Sequence, residues 1–150
     1  MRRAVVNADG TFDYKPLDDL TLAQMRQDEI DNAKGTPEKV IAERTRRLAM
    51  GFDYDFGDER GVHRIGTTPD DLVGWDEVTK ITQAHMLLGN GGATVQIVTD
   101  TGPVTVTAAE WQRILVASAA FRQPLWAASF ALQQQAVIPT DFATDEKWKA

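Results

Sequence analysis

The chain has 150 residues, 43% of them hydrophobic, with sixteen Lys and Arg against twenty-two Asp and Glu, a net charge of −6 and no cysteine. This length fits one domain with flanking segments and a modest core. The acidic balance disfavours a free-standing nucleic-acid binder, and the lack of cysteine excludes disulfides, thiolate metal sites and a cysteine nucleophile.

At the start of the chain, Arg2 and Arg3 are followed by Asn7, Asp9, Gly10 and Asp13, where a signal peptide would need an apolar run, so no export signal is expected. Ala4–Val6 and Thr11–Tyr14, separated by Asn7-Ala8-Asp9-Gly10, predict a short hairpin. A helix is expected from about Leu22 to Ala33, with Thr21 near its cap and Gly35 closing it. Its apolar residues, Leu22, Met25 and Ile30, make a thin stripe that needs a partner surface, which marks them as candidate protein contacts.

Three further helix starts share a Thr cap and an acidic first turn: Thr36-Pro37-Glu38, Thr68-Pro69-Asp70-Asp71 and Thr107-Ala108-Ala109-Glu110. The first should run to about Met50, with Val40, Ile41 and Leu48 as its apolar face. Arg44, Arg46 and Arg47 fall in its last turns, and Gly51 suits a left-handed stop. An aromatic strand, Phe52 to Phe56, and a turn at Gly57–Gly61 follow. The second helix is expected to run to about Leu88 with Leu72, Trp75, Val78, Ile81 and His85 on one side, before the Gly89–Gly92 connection.

Ala93 to Thr107 predicts another hairpin with its turn at Asp100-Thr101-Gly102-Pro103. The last helix presents Trp111, Ile114, Leu115, Ser118, Phe121, Leu125, Ser129 and Leu132, and Pro124 should kink it. Arg122, Gln123 and Pro124 interrupt the weakly polar run from Ile114 to Ala136, so it is not expected to insert in a membrane. The tail, with Pro139, mixed charge and an isolated Trp148, reads as an extended arm, and Trp148 as a fourth candidate protein contact.

The expected fold is α+β: helix-hairpin-helix-hairpin-helix, with a small antiparallel sheet packed on helices and extended N- and C-terminal arms. The two later hairpins could join into one four-stranded sheet. Residues 1–35 form the N-terminal arm with its short helix, 36–135 the core domain and 136–150 the C-terminal arm. The expected core comprises Phe52, Tyr54, Phe56, Leu72, Trp75, Val78, Val95, Ile97, Trp111, Ile114, Leu115, Phe121 and Leu125.

No reactive constellation emerges. Asp53, Asp55, Asp58 and Glu59 invite calcium, but a calcium loop would place Gly57 and Arg64 where carboxylates are required. His63 and His85 have no HxxxH or HExxH spacing. Ser118 and Ser129 sit in no nucleophile elbow, and Gly89–Gly92 fits no phosphate loop. We therefore expect no catalytic residue, no metal site and no cofactor. The arginines at 44, 46 and 47 read as part of a solvated charge mixture.

Several blocks occur together: Arg46-Arg47-Leu48-Ala49-Met50-Gly51-Phe52, Asp55-Phe56-Gly57-Asp58, His63-Arg64-Ile65-Gly66-Thr67-Thr68, Gly74-Trp75-Asp76-Glu77-Val78-Thr79, Thr99-Asp100-Thr101-Gly102, Thr107-Ala108-Ala109-Glu110-Trp111 and Arg122-Gln123-Pro124-Leu125-Trp126. In this order, over about Glu43 to Gln133, they resemble a domain of unknown function (DUF4376) widespread in tailed bacteriophages and prophages. The resemblance implies a virion setting: a tail, tail-fibre or baseplate protein, non-enzymatic, made in the bacterial host cytoplasm. It also implies other phage tail or baseplate proteins as partners and a homo-oligomeric or multi-copy arrangement. A tail-fibre assembly chaperone absent from the mature particle is the alternative expectation, and an enzyme acting on host-surface glycan a third.

Overall fold

The computed structural model describes residues 2–16 and 18–149, and for Arg3, Val5, Tyr14, Lys15 and Pro16 it describes the backbone alone. The side chains of Val5 and Tyr14, named in the expected first hairpin, thus lie outside the described residues. In chain order the elements are β1 (Arg2–Val6), β2 (Phe12–Pro16), α1 (Asp19–Ala33), α2 (Pro37–Leu48), β3 (Phe52–Asp55), β4 (Val62–Ile65), α3 (Pro69–Leu87), β5 (Thr94–Thr99), β6 (Gly102–Thr107), α4 (Ala108–Gln133) and a 3-10 turn at Asp145–Trp148. The protein is mixed α and β, with helices beside small two-stranded antiparallel sheets.

The three Thr caps act through their hydroxyls, which accept from the amides of Lys39, Asp71 and Glu110. At Thr68 and Thr107 the Asp71 and Glu110 carboxylates return the bond to the cap amide. α1 starts earlier than its apolar stripe suggests. Asp18, not Thr21, is its cap, because the Asp18 carboxylate accepts from the Thr21 amide at 2.6 Å. At the end of α2, Gly51 turns the chain at φ 72°, and a Cβ there would meet the Ile65 carbonyl oxygen at 2.5 Å. The buried Thr67 hydroxyl completes this junction, accepting from the Gly51 amide at 2.9 Å and donating to the Leu48 carbonyl at 2.7 Å.

β3 pairs with β4 from Phe52↔Ile65 to Asp55↔Val62, and β5 with β6 from Thr94↔Thr107 to Thr99↔Gly102. They do not merge into the four-stranded sheet that the sequence invites. The physical reason lies in what meets β4. It is the β5–β6 turn, with Asp100 N–H donating to Arg64 O at 2.9 Å and Arg64 N–H to the Thr101 hydroxyl at 3.1 Å, so no ladder can propagate.

Two apolar clusters result. The first gathers Phe52, Ile65, Ile97, Val104, Val106, Trp111 and Ile114, with Trp75 edge-on to Trp111 at 5.2 Å and Phe52 stacked on Phe121 at 5.6 Å. Of the expected inner side of α3, Trp75 and Val78 pack on this cluster, and the departure comes one turn later. Ile81 is 43% exposed, while Thr82 is fully buried, receiving a bond from Gln112 at 3.2 Å. The hydroxyls on that side serve a need of α4: the buried Trp111 indole requires an acceptor and finds Thr79 Oγ1 at 2.9 Å. α4 itself continues on both sides of Pro124.

The second cluster joins Val40, Leu48, Leu125 and Leu132 to Ile138 and Trp148. This corrects the C-terminal arm. Trp148 is only 3% exposed, and its indole N–H donates to Phe142 O at 2.7 Å. α2 and α4 pair but leave an apolar furrow, which Ile138, Phe142 and Trp148 fill. Arg47 holds them there. Its guanidinium donates to Ala143 O at 2.8 Å and Asp145 at 2.9 Å, is neutralised by Glu43 at 2.7 Å and lies 5.2 Å from the Trp148 ring.

Candidate interaction surfaces

The candidate contact residues separate. Trp148 is core. Leu22 is half-buried, and Met25 and Ile30 are 40% and 55% exposed on α1, a helix with no buried residue. α1 is tied to the body by the Lys39 ammonium, which donates to the carbonyls of Asn32 and Lys34, the latter at 2.9 Å. The hairpin before it also keeps Phe12 and Val6 exposed. In all, the chain exposes 9930 Å², whereas a compact monomer of 16.6 kDa exposes roughly 7,600 Å².

Several clefts open on the body. Between the N-terminal half of α3 and β5 lies one of about 360 Å³, with Trp75, Ile97 and Trp111 among its lining and Asp70 and Glu77 beside them. On the other side, between α2, the start of α3 and α4, run two adjoining clefts of about 340 and 190 Å³ that share Leu72, Arg122 and Trp126. Arg44 lines the smaller one. Its guanidinium lies 4.0 Å over the Trp126 ring and donates to Ser129 Oγ at 3.2 Å, yet its Nε is buried without a partner. Arg122 Nη1 is likewise buried and unpartnered.

Arg60, by contrast, is matched to carboxylates. Arg60 bridges the β3–β4 turn to α4, donating to Asp58 and Glu110 at 2.6 Å each and to Thr105 O at 2.9 Å, and lies 4.3 Å over Phe56. The Arg60 guanidinium holds both carboxyls well below the usual range, to about 2 for Asp58 and for Glu110, although partial burial of Glu110 works the other way. Their hydrogen bonds in turn raise the pKa of Arg60.

The carboxylates that suggested calcium diverge into local duties. Asp53 pairs with Arg64 at 3.0 Å, Asp55 accepts from the Gly57 amide and Asp58 from the Arg60 amide. Among the described residues no group of three or more His, Asp or Glu is placed to hold a metal. His63 bonds Thr99 at 3.0 Å and packs edge-on to Phe56, while Ser118 and Ser129 are buried in α4 packing. No helix of the described residues is long and apolar enough to cross a membrane.

Sequence reasoning missed the Arg44–Trp126–Arg122 surface and the anchoring role of Arg47. The arginines were visible, but the partner aromatic lies some eighty residues away, and only the α2–α4 pairing brings it near.

No family model, no curated protein and no solved structure matches this chain.

Proposed function

We propose that this chain is a non-enzymatic structural component of a tailed-bacteriophage virion, in the tail, fibre or baseplate apparatus. It is made in the host cytoplasm and acts through protein contacts. The contact role rests on one observation: β1, β2 and α1 keep Phe12, Met25 and Ile30 in solvent, and α1 buries no residue on its own chain. A helix of fifteen residues is marginal in water unless an apolar face is covered, so such a segment gains its stability on docking. The phage setting is supported by the motif blocks. In this reading the helix-hairpin-helix-hairpin-helix body is the rigid unit, and the N-terminal segment reaches neighbouring tail proteins or further copies of itself.

Mass spectrometry of purified particles tests the proposal. The expected result is this chain at a fixed ratio to the other tail proteins. Recovery from lysate bound to a fibre protein, with none in the particles, would instead favour the fibre-assembly chaperone.

A further inference from the structure

An acidic protein gains little by keeping half-buried cations unneutralised, since a guanidinium N–H withdrawn from water without an acceptor is costly. Arg46, Arg47, Arg60 and Arg64 all meet carboxylates. Arg44 and Arg122 meet none, and each leaves a buried nitrogen without an acceptor. Both flank the half-exposed Trp126 in the groove between α2 and α4, whose remaining walls include Leu48 and Leu72. Such a groove matches an apolar helix face that also carries a carboxylate.

α1 presents such a face. Leu22, Met25 and Glu29 stand at i, i+3 and i+7 on α1, with Ile30 beside them. α1 carries Asp19, Asp28, Glu29 and Asp31 against the single cation Arg26, and Glu29 has no hydrogen-bond or ion-pair partner. We propose that α1 of a second copy lies in the Arg44–Trp126–Arg122 groove, with Glu29 meeting the arginines and Met25 and Ile30 covering Trp126 and Leu72. Two copies that exchange α1 make the same contact twice, the self-complementary arrangement of a two-fold dimer. The inference rests on the contact role proposed above for α1 and names the surface that receives it.

Sedimentation of the full chain over a concentration series tests it. The wild type should self-associate, less tightly at high salt. Arg122→Glu and Glu29→Arg should each weaken association about tenfold or more, and the two substitutions together should restore it. A photo-crosslinker at position 25, in a mixture of isotopically light and heavy chains, should yield heavy–light products joined to the α4 segment around Trp126. A wild type that stays monomeric, a double variant no better than the singles, or crosslinks confined to one chain would each overturn the docking. Should a variant lose its helical circular-dichroism signal, the crosslink decides. A monomeric chain found in purified particles defeats this inference and leaves the virion role intact, whereas a self-associating chain absent from them does the reverse.

Discussion

At the C-terminal end, Ile138 and Trp148 are buried on α2 and α4, while at the N-terminal end the fifteen residues of α1 bury no side chain. Both ends have a few apolar residues among charges. The difference lies in what the body offers each. The C-terminal segment finds an apolar furrow and a cation, Arg47, that bonds its backbone at Ala143, and it supplies its own acceptor for the indole N–H at Phe142 O. α1 finds the Lys39 ammonium at its last turn and no apolar seat for its side chains. Apolar content therefore does not distinguish a structural tail from a docking element. A satisfied backbone and a fitted cavity do.

Truncation breaks this comparison most directly. Removing residues 136–150 strips Ile138 and Trp148 from the second cluster and should abolish cooperative thermal unfolding. Removing residues 1–34 should move the midpoint by no more than about 2 °C, measured at low protein concentration so that association does not contribute. Equal losses from the two truncations would refute the contrast. A single side chain should reproduce much of the first effect. Trp148→Ala leaves a large cavity between α2 and α4 and should cost about 3 to 5 kcal/mol in denaturant unfolding, comparable with Trp111→Ala in the first cluster.

The contact between the two ends passes through Gly35. A Cβ added there would press on the Ile138 side chain and lie 2.9 Å from Pro139 O. Gly35→Ala should therefore cost about 1 to 3 kcal/mol. An unchanged unfolding midpoint would show that the 138–139 segment can shift without loss.

Much of the body was legible because its signals are local. The Thr36, Thr68 and Thr107 caps depend on residues three positions away, and Gly51 needed only its missing Cβ. Ile97 in the second hairpin and the spacing of Trp111, Ile114, Ser118 and Leu125 identified buried positions for the same reason. What stayed hidden was long-range. The inner place of Thr79 on α3 answers the need of Trp111 for an acceptor, thirty-two residues away. Arg47 reads as one more terminal cation until Asp145 is brought beside it. The separation of the hairpins depends on a turn, Asp100-Thr101, meeting β4. Of the candidate site, α1 was visible as a thin stripe, whereas its proposed receptor groove exists only once α2, α3 and α4 are packed.

Acid should loosen the body, including the seat of the C-terminal segment, and act little on the N-terminal one. Glu110 has its pKa lowered to about 2, chiefly by Arg60, and Glu43 is lowered by Arg46 and then Arg47. A folded-state pKa below the unfolded one stabilises at pH values above the unfolded value, and that contribution disappears as pH falls through the folded value. Stability should thus decline between the ordinary glutamate value near 4.5 and about 2. The Glu110 share should be about 1 kcal/mol after allowance for solvent screening. The decline should persist in the chain lacking residues 1–34, because Glu43, Glu110 and their arginine partners all lie outside that segment. It should shrink in Arg60→Met. A flat acid limb for the wild type would contradict the assignment.

The smallest expected change in folding stability comes from the residues that the proposed function depends on. Leu22, Met25 and Ile30 belong to a helix with no buried residue, so replacing all three with Ser removes little apolar packing from the isolated chain. Substitutions of this kind usually fall within about 0.5 kcal/mol each, and the unfolding midpoint of the dilute protein should hardly move. Association should respond in the opposite sense, since the same side chains would lose the cover that docking supplies. Sedimentation of the triple variant should show weaker self-association, and its incorporation into particles should fall while its thermal unfolding stays that of the wild type. A triple variant that unfolds several degrees earlier would place α1 in the core after all. One that associates and assembles normally would remove α1 from the contact surface and leave the acidic cleft at Trp75 as the next face to test.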